Sequence, residues 1–407
     1  MATADTAPFT HVDVADDPHG TAVPRAYRDR VMVDVIHDGN HIPSAFLTRA
    51  DGRPFAPKLI EETFSTERDW GAETVAASLA SALHLGRYYR VNIARTLLDF
   101  GRFPGITSQG ADHMHRMAIT PPFAEGLSHD QKRQLLEHYY DRISAGMDEA
   151  IRGKLLKIAI HSYDEKNFAA TQRPAVSILT RSYGHTAAWG QPMKLFDPAF
   201  PHEIAEVTAD RILRSRIALT LEEAGISTAD NYPYSLPEGS VEVRSQVWHF
   251  FRHVQARFTE AHPDATDEPA MTLIWDMLLD TNLRSTESDA LRSYIHMFRR
   301  PPEGRERAFE AARDAYARIV DYIEDHRNTL TTSYRRDEDR PNSLLIEVRK
   351  DLIWRYEAER PVGPKPEAAR FVARTIARAI SHYFTEDREA RARASLVRVR
   401  VSVRVRV

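Results

Sequence analysis

The sequence predicts an α/β fold: a mainly parallel or mixed sheet flanked by helices and interrupted by a helical insertion. Three observations carry this. Short apolar runs alternate with amphipathic stretches from about residue 31 to residue 225. A late apolar run at 344–348 returns to the same pattern. Between about 245 and 335 the alternation gives way to helical periodicity, with many aromatics and Arg/Glu pairs. The chain has 407 residues, 42% hydrophobic and 28% charged, so it can bury a sizeable core.

Residues 1–25 lack periodicity and are expected to form a mobile or loosely packed arm. Val31–Ile36 is an apolar strand ending at His37. Trp70–Leu85, rich in Ala and Leu, reads as an amphipathic helix, and Tyr88–Ala94 as a strand. Ser128–Gly153 reads as one long helix. Ser128 and Gln131 make a capping box, and Leu135, Tyr139, Ile143, Met147 and Ile151 recur every four residues. Leu155–Ile160 is expected as a strand ending at His161, and Ala175–Thr180 as another. A helical pair over 202–225 should stop at Gly225. Leu344–Val348 is the last strand. The tail Ser395–Val407, SLVRVRVSVRVRV, alternates Val with Arg or Ser, which suits a strand and not a helix.

The expected organisation is an arm (1–25), a catalytic domain (26–244 with 336–390), a helical insertion (245–335) and an Arg/Val tail (391–407).

Composition excludes several chemistries. With no cysteine there are no disulfides, thiolate metal sites or cysteine nucleophiles. Any metal must be held by His, Asp, Glu or water. No apolar run reaches membrane-spanning length, so no membrane role is expected. The acidic start, without an apolar core, gives no sign of a secretory leader, and a cytoplasmic location is expected. Seven arginines and one acid fall in the last twenty residues, from Arg388, so the rest of the chain is more acidic than the formal net charge of −3. Such a tail suits docking on its own protein or on another copy, so a homo-oligomer is a candidate. No basic patch with interleaved aromatics occurs elsewhere, which disfavours nucleic acid.

His37 and His161 both follow apolar strands, and ligand sites in open α/β sheets form beyond the carboxyl ends of strands. With Asp69 at a helix start they make a His/carboxylate/His set of the hydrolytic zinc kind. Glu347 on the last strand is the proposed proton shuttle. Zinc is the metal expected, and the same donors accept manganese or iron. A separate cluster, HMH at 113–115 with Asp112, reads as a loop.

Several segments resemble the N-formylglutamate amidohydrolase family, in order along residues 31–353. HDGNHIP (37–43) is similar to its first His-containing loop, and RDWGA (68–72) to its Asp-x-Gly-Ala element. ARTLLDFGR (94–102) resembles its SRxxxDxNR segment, with Arg95, Asp99 and Arg102 retained. IHSYDEKN (160–167) is similar to its His-Ser strand end, DNYPYS (230–235) to its DNxPYS loop, and LIEVRKDLI (345–353) to its IEIRxDLI strand. The resemblance implies a carboxypeptidase-like α/β fold and hydrolysis of C–N bonds. His37, Asp69 and His161 would be metal ligands and Glu347 the general acid/base. Arg95 and Arg102 would face the substrate, with Asp99 orienting one of them. Asn231 and Tyr234 would line the pocket, and Arg349 would pair with a carboxylate or support Glu347. Arg173, before Pro174, is a further pocket candidate. The sequence departs from the pattern at Gly101, where the family has Asn. It also departs after DNYPYS, where the stretch is longer and the family's His-Thr element is not found.

Two substrates follow. One is a small acidic N-acyl amino acid. The other is a peptide tail, the chain's own or another copy's, in which Arg398, Arg400, Arg404 and Arg406 would be hydrolysed to ornithine. The non-catalytic alternative is that the tail is a strand-pairing or assembly element.

Overall fold

The computed structural model describes residues 7–112, 115–167, 169–182, 197–205, 207–265, 267–337, 339–358 and 360–388. Arg398, Arg400, Arg404 and Arg406, the rest of the tail, and His113 and Met114 of the HMH cluster lie outside the described residues.

Seven strands form one mixed sheet: β1 (Phe9–Asp13), β2 (Val31–Val35), β3 (Arg87–Val91), β4 (Leu156–Tyr163), β5 (Val176–Leu179), β6 (Thr228–Asp230) and β7 (Asn342–Arg349). Their order is β1-β3-β2-β4-β7-β5-β6. β3, β2, β4 and β7 run parallel, β1 is antiparallel to β3, and β5 is antiparallel to β7. β2, β4 and nearly all of β7 are buried along their length. Strands covered on both faces need apolar residues on both, hence their near-continuous hydrophobic runs.

Helices Ala72–Ala82, Arg211–Glu223 and Pro366–His382 cover one face, packing on Val33, Ile158, Ile160 and Ile346. The insertion helices Val241–Ala261, Pro269–Leu279 and Glu306–Arg336 cover the β4/β5/β7 region of the other, packing on Ala159, Leu179 and Leu345. Phe250 and Phe251 are fully buried there. Burying a side chain of that size stabilises by roughly 1.5–3 kcal/mol, so this helix is bonded to the body by core packing. A third cluster, around Phe46, Leu98, Phe123 and Ile143, packs beside β2 and β3.

Alternation along the strands decides what the insertion meets. Leu156, Ile158 and Ile160 face the first layer, so Lys157, Ala159 and His161 face the insertion side. By the same alternation Leu345 and Glu347 of β7 share that face.

Several expectations need correction. The N-terminal arm contains β1, whose Phe9 stacks on Tyr89 at 5.9 Å between ring centres. A short edge strand with mixed polarity leaves little periodic signal. β4 runs on through His161 to Tyr163, so His161 is inside the strand and pairs in register with Glu347. The helix capped by Ser128 and Gln131 forms as expected, with both reciprocal bonds, but a wider π turn at Leu136–Tyr140 interrupts it before Asp141–Ile151. β6, three residues long, had no legible signal. The expected boundary at 245 falls inside one helix, Val241–Ala261. Gly225 ends helix Arg211–Glu223 with φ 77°, a left-handed conformation that glycine adopts without a Cβ clash.

Candidate metal centre

Three segments converge at the carboxyl ends of β2 and β4. His37 follows β2, and its carbonyl accepts the Asp69 N–H at 3.1 Å. Asp38 then fixes the next element. Its carboxylate accepts from the Glu73 backbone N–H (2.8 Å) and from Arg68 Nε (2.6 Å). It thus caps helix Ala72–Ala82, just after Asp69. Burial pushes the Asp38 carboxyl up to about 6, against the pull of Arg68 and that N–H.

His37 Nδ1 and His161 Nδ1 lie 3.1 Å apart. Asp69 Oδ2 is 2.9 Å from His161 Nδ1 and 3.6 Å from His37 Nδ1. All three side chains are buried. The other nitrogen of His37, Nε2, is 2.8 Å from Asp99 Oδ1. Donation to that carboxylate leaves the Nδ1 lone pair facing the cluster, the arrangement that orients a metal-ligating histidine. Two imidazole lone pairs and an ionised carboxylate aimed at one point repel one another unless a cation or shared proton sits between them. The donor set therefore fits a divalent metal held by His37, Asp69 and His161.

The electrostatics agree. Burial opposes ionisation of Asp69, but Arg95 and the adjoining His161 and His37 imidazoles hold it well below the usual carboxylate range. Burial likewise opposes ionisation of Asp99, and His37, Arg95 and Arg102 outweigh it. On His37, burial and the Arg95 charge disfavour a proton, yet Asp99 and Asp69 carry its pKa above the ordinary imidazole value.

Glu347 stands across from His161 on β7. Its Oε1 accepts from the Tyr234 hydroxyl, and its buried Oε2 has no hydrogen-bond partner among the described residues. Burial, reinforced by Asp69 and opposed by His161 and Arg95, pushes this carboxyl up to about 7. A carboxyl that titrates near neutrality can take and return a proton at working pH. A cavity of about 40 Å³ opens over the cluster, with His37, Asp99, Arg102, His161, Tyr234 and Glu242 in its wall. A larger one, about 720 Å³, lies behind Phe100 between Met147, Trp248 and Leu279, away from this cluster.

Of the remaining candidates, Arg95 and Arg102 also stand in the wall of the small cavity. Arg95 donates to Asp69 (3.0 Å) and to Asp99 (3.3 Å), so its fork braces two acids of the centre. Arg102 is in the cavity wall, 3.9 Å from Asp99. Arg173 lays its guanidinium 5.1 Å from the Tyr163 ring centre and bears on Glu347 through its charge. Asn231 accepts the backbone N–H of Thr180 and Arg181, both at 2.8 Å, and ties loops together away from the cavity wall. Arg349 pairs with Asp351 at 2.7 Å and 3.1 Å.

Asp38, Asp34, Lys157 and Glu242 were not anticipated. Lone charges inside the apolar strand runs VMVDV and LKIAIHSY were the available signal for Asp34 and Lys157. Asp112 and His115 pair with each other at 2.7 Å in an exposed turn.

The N-formylglutamate amidohydrolase family model matches residues 29–262. Among solved structures, the chain is similar to an N-formylglutamate amidohydrolase from Ralstonia eutropha JMP134, at 13% identity and a TM-score of 0.48, covering 93% of this chain and 98% of that one. It is also similar to a gene product from Agrobacterium tumefaciens, at 15% identity and a TM-score of 0.44, covering 89% and 96%. No curated protein matches the chain. Among the described residues no helix is long and apolar enough to cross a membrane. More than half of the chain falls within the family model, and the chain belongs to the N-formylglutamate amidohydrolase family.

Proposed function

We propose that this amidohydrolase is metal-dependent and cleaves the C–N bond of a small N-acyl amino acid with an acidic side chain. The carrying observation is the convergence of His37 Nδ1, His161 Nδ1 and Asp69 Oδ2, with Glu347 in register beside them. Zinc suits the donors best, with manganese or iron as alternatives. When bound, the cation supplies Lewis acidity toward the scissile carbonyl and toward water.

The chain's own residues supply the rest. Glu347 Oε2, which has no hydrogen-bond partner among the described residues, takes a proton from the attacking water as the C–O bond forms. It returns that proton to the leaving nitrogen as the C–N bond breaks, giving a carboxylic acid and an amine. The Tyr234 hydroxyl holds Oε1 and so orients the carboxyl. Arg95 and Asp99 hold Asp69 and His37 in place. Arg102 in the cavity wall offers a planar fork to a substrate carboxylate. The test is formate or carboxylate release from N-formylglutamate and related N-acyl amino acids by zinc-loaded protein. No release from any of them sinks this substrate class.

A second reading rests on the tail. VRVRVSVRVRV presents Arg398, Arg400, Arg404 and Arg406 in a repetitive run, and a tethered substrate gains effective concentration. Water added across a guanidinium C–N bond would leave ornithine and urea. Fragment masses of the tail, compared between wild type and His161→Ala expressed with metal, decide it. Ornithine in the wild type alone supports self-modification, and arginine in both removes it.

A further inference from the structure

On the insertion side of the sheet, three charges are buried together. Lys157 of β4, Asp34 of β2 and Glu242 in the first turn of helix Val241–Ala261 are 2%, 0% and 1% exposed. Lys157 Nζ lies 2.8 Å from Asp34 Oδ1 and 2.7 Å from Glu242 Oε1. Lys157 and His161 are four residues apart on one strand and share a face. Asp34 pairs in register with Ala159, the residue midway between them. Glu242 and His161 stand in the wall of the same small cavity. The cluster therefore adjoins the metal centre from below.

Three buried atoms here have no hydrogen-bond partner among the described residues: His161 Nε2 and both carboxylate oxygens of Asp34, of which Oδ1 is in ion-pair contact with Lys157. Buried polar atoms without partners are costly and uncommon. His161 turns Nδ1 toward Asp69 and His37, which leaves Nε2 as its outward nitrogen. A metal-bound histidine generally donates that outward N–H to a carboxylate, a carbonyl or a water. His37 has Asp99 for this purpose. His161 needs an acceptor too, and Glu347, the nearer acid on the neighbouring strand, has its own role toward substrate.

We propose that the Asp34–Lys157–Glu242 cluster is a positioning device for His161. Asp34 accepts the Nε2–H of His161 across one bridging water. Lys157 holds that carboxylate on one side and the first turn of the Val241–Ala261 helix on the other. The inference rests on the metal-centre reading above. It gives the insertion a function in the site, since Glu242 belongs to an insertion helix and Lys157 to the sheet.

The experiment compares full-length wild type with Asp34→Asn and with the triple variant Asp34→Asn/Lys157→Met/Glu242→Gln. Zinc affinity is read by chelator competition, the His161 ring by 15N NMR, and folding by the thermal midpoint. Wild type that takes up no zinc overturns the metal reading itself, before any variant is considered. Where wild type binds zinc, Asp34→Asn is expected to weaken it by about 10- to 100-fold, the usual effect of losing an outer partner. The His161 Nε2 resonance should move as well. Should Asp34→Asn fail to fold, the triple variant leaves no unpaired buried charge and carries the same comparison. A folded variant with unchanged zinc affinity and an unmoved His161 resonance overturns the proposal and leaves the cluster as a tie between helix and sheet.

Discussion

His161 and Glu347 stand directly opposite each other on the parallel strands β4 and β7, so the proposed ligand and the proposed acid/base are set by strand register and by no flexible loop. A one-residue slip would turn both side chains to the other face. Glu347→Gln keeps this register and removes the proton carrier. It is expected to lower kcat by about 10²- to 10⁴-fold with little change in KM, measured on the substrate identified by product release. Tyr234→Phe should cost less, because it frees Oε1 without removing the carboxyl. Equal losses in the two variants would count against the division of labour proposed for them.

The pH profile should follow Glu347. Its carboxyl is pushed up to about 7, chiefly by burial, and only the ionised form accepts a proton. Activity is therefore expected to rise with pH through an acidic limb at or below about 7, since a bound cation would favour ionisation further. Steady-state rates between pH 5 and 9 check this. A profile flat through that range would remove Glu347 as the base.

Asp38 makes a separate statement about stability. Its pKa is about 6 in the fold against an ordinary 3.8, because burial disfavours the charge. An acid that binds its proton more tightly when folded stabilises most at low pH, and loses that contribution as pH rises from about 4 to 6. The shift corresponds to something on the order of 3 kcal/mol. Unfolding free energies of wild type relative to Asp38→Asn should fall by that order between pH 4 and 7. A difference that rises with pH would mean that Arg68 and the Glu73 N–H outweigh burial.

Gly101 has little room. A Cβ there would sit 3.1 Å from Asp99 Oδ1 and 3.2 Å from His37 Cε1. Gly101→Ala should push the His37–Asp99 pair by a few tenths of an ångström. Misplacement of a whole ångström can cost about 10²-fold, so a loss nearer 10-fold is expected here, at nearly unchanged thermal stability. Full activity in Gly101→Ala would show that the pair yields without consequence.

Metal removal should also be visible without turnover. A ligand that binds only the folded state at about 100 times its Kd stabilises by about 2.7 kcal/mol. Chelation is expected to lower the thermal midpoint of wild type and to leave that of His161→Ala unmoved. Equal shifts in both would place the metal elsewhere.

Much of the centre is legible in the sequence. The runs before His37 and around His161 mark buried strands, and the ordered segments HDGNHIP, RDWGA, ARTLLDFGR and LIEVRKDLI bring the same residues forward. Local chemistry also read well at Ser128 and Gln131, whose reciprocal cap forms as expected. Edge elements read poorly: β1 and β6 are short, partly exposed and without strong alternation.

The partners of the long side chains were decided by the tertiary structure alone. Arg95 reaches Asp69, 26 residues back, and Asn231 reaches loop N–H groups about 50 residues away. Lys157 joins Glu242 across 85 residues. Strand and helix periodicity is set by neighbours a few residues apart, so sequence determined which residues could be strand, cap or ligand. A guanidinium or ammonium takes whichever acid the folded sheet and its covering helices bring within 3 Å. That choice depends on register and packing between distant segments, and these exist only once the chain is folded.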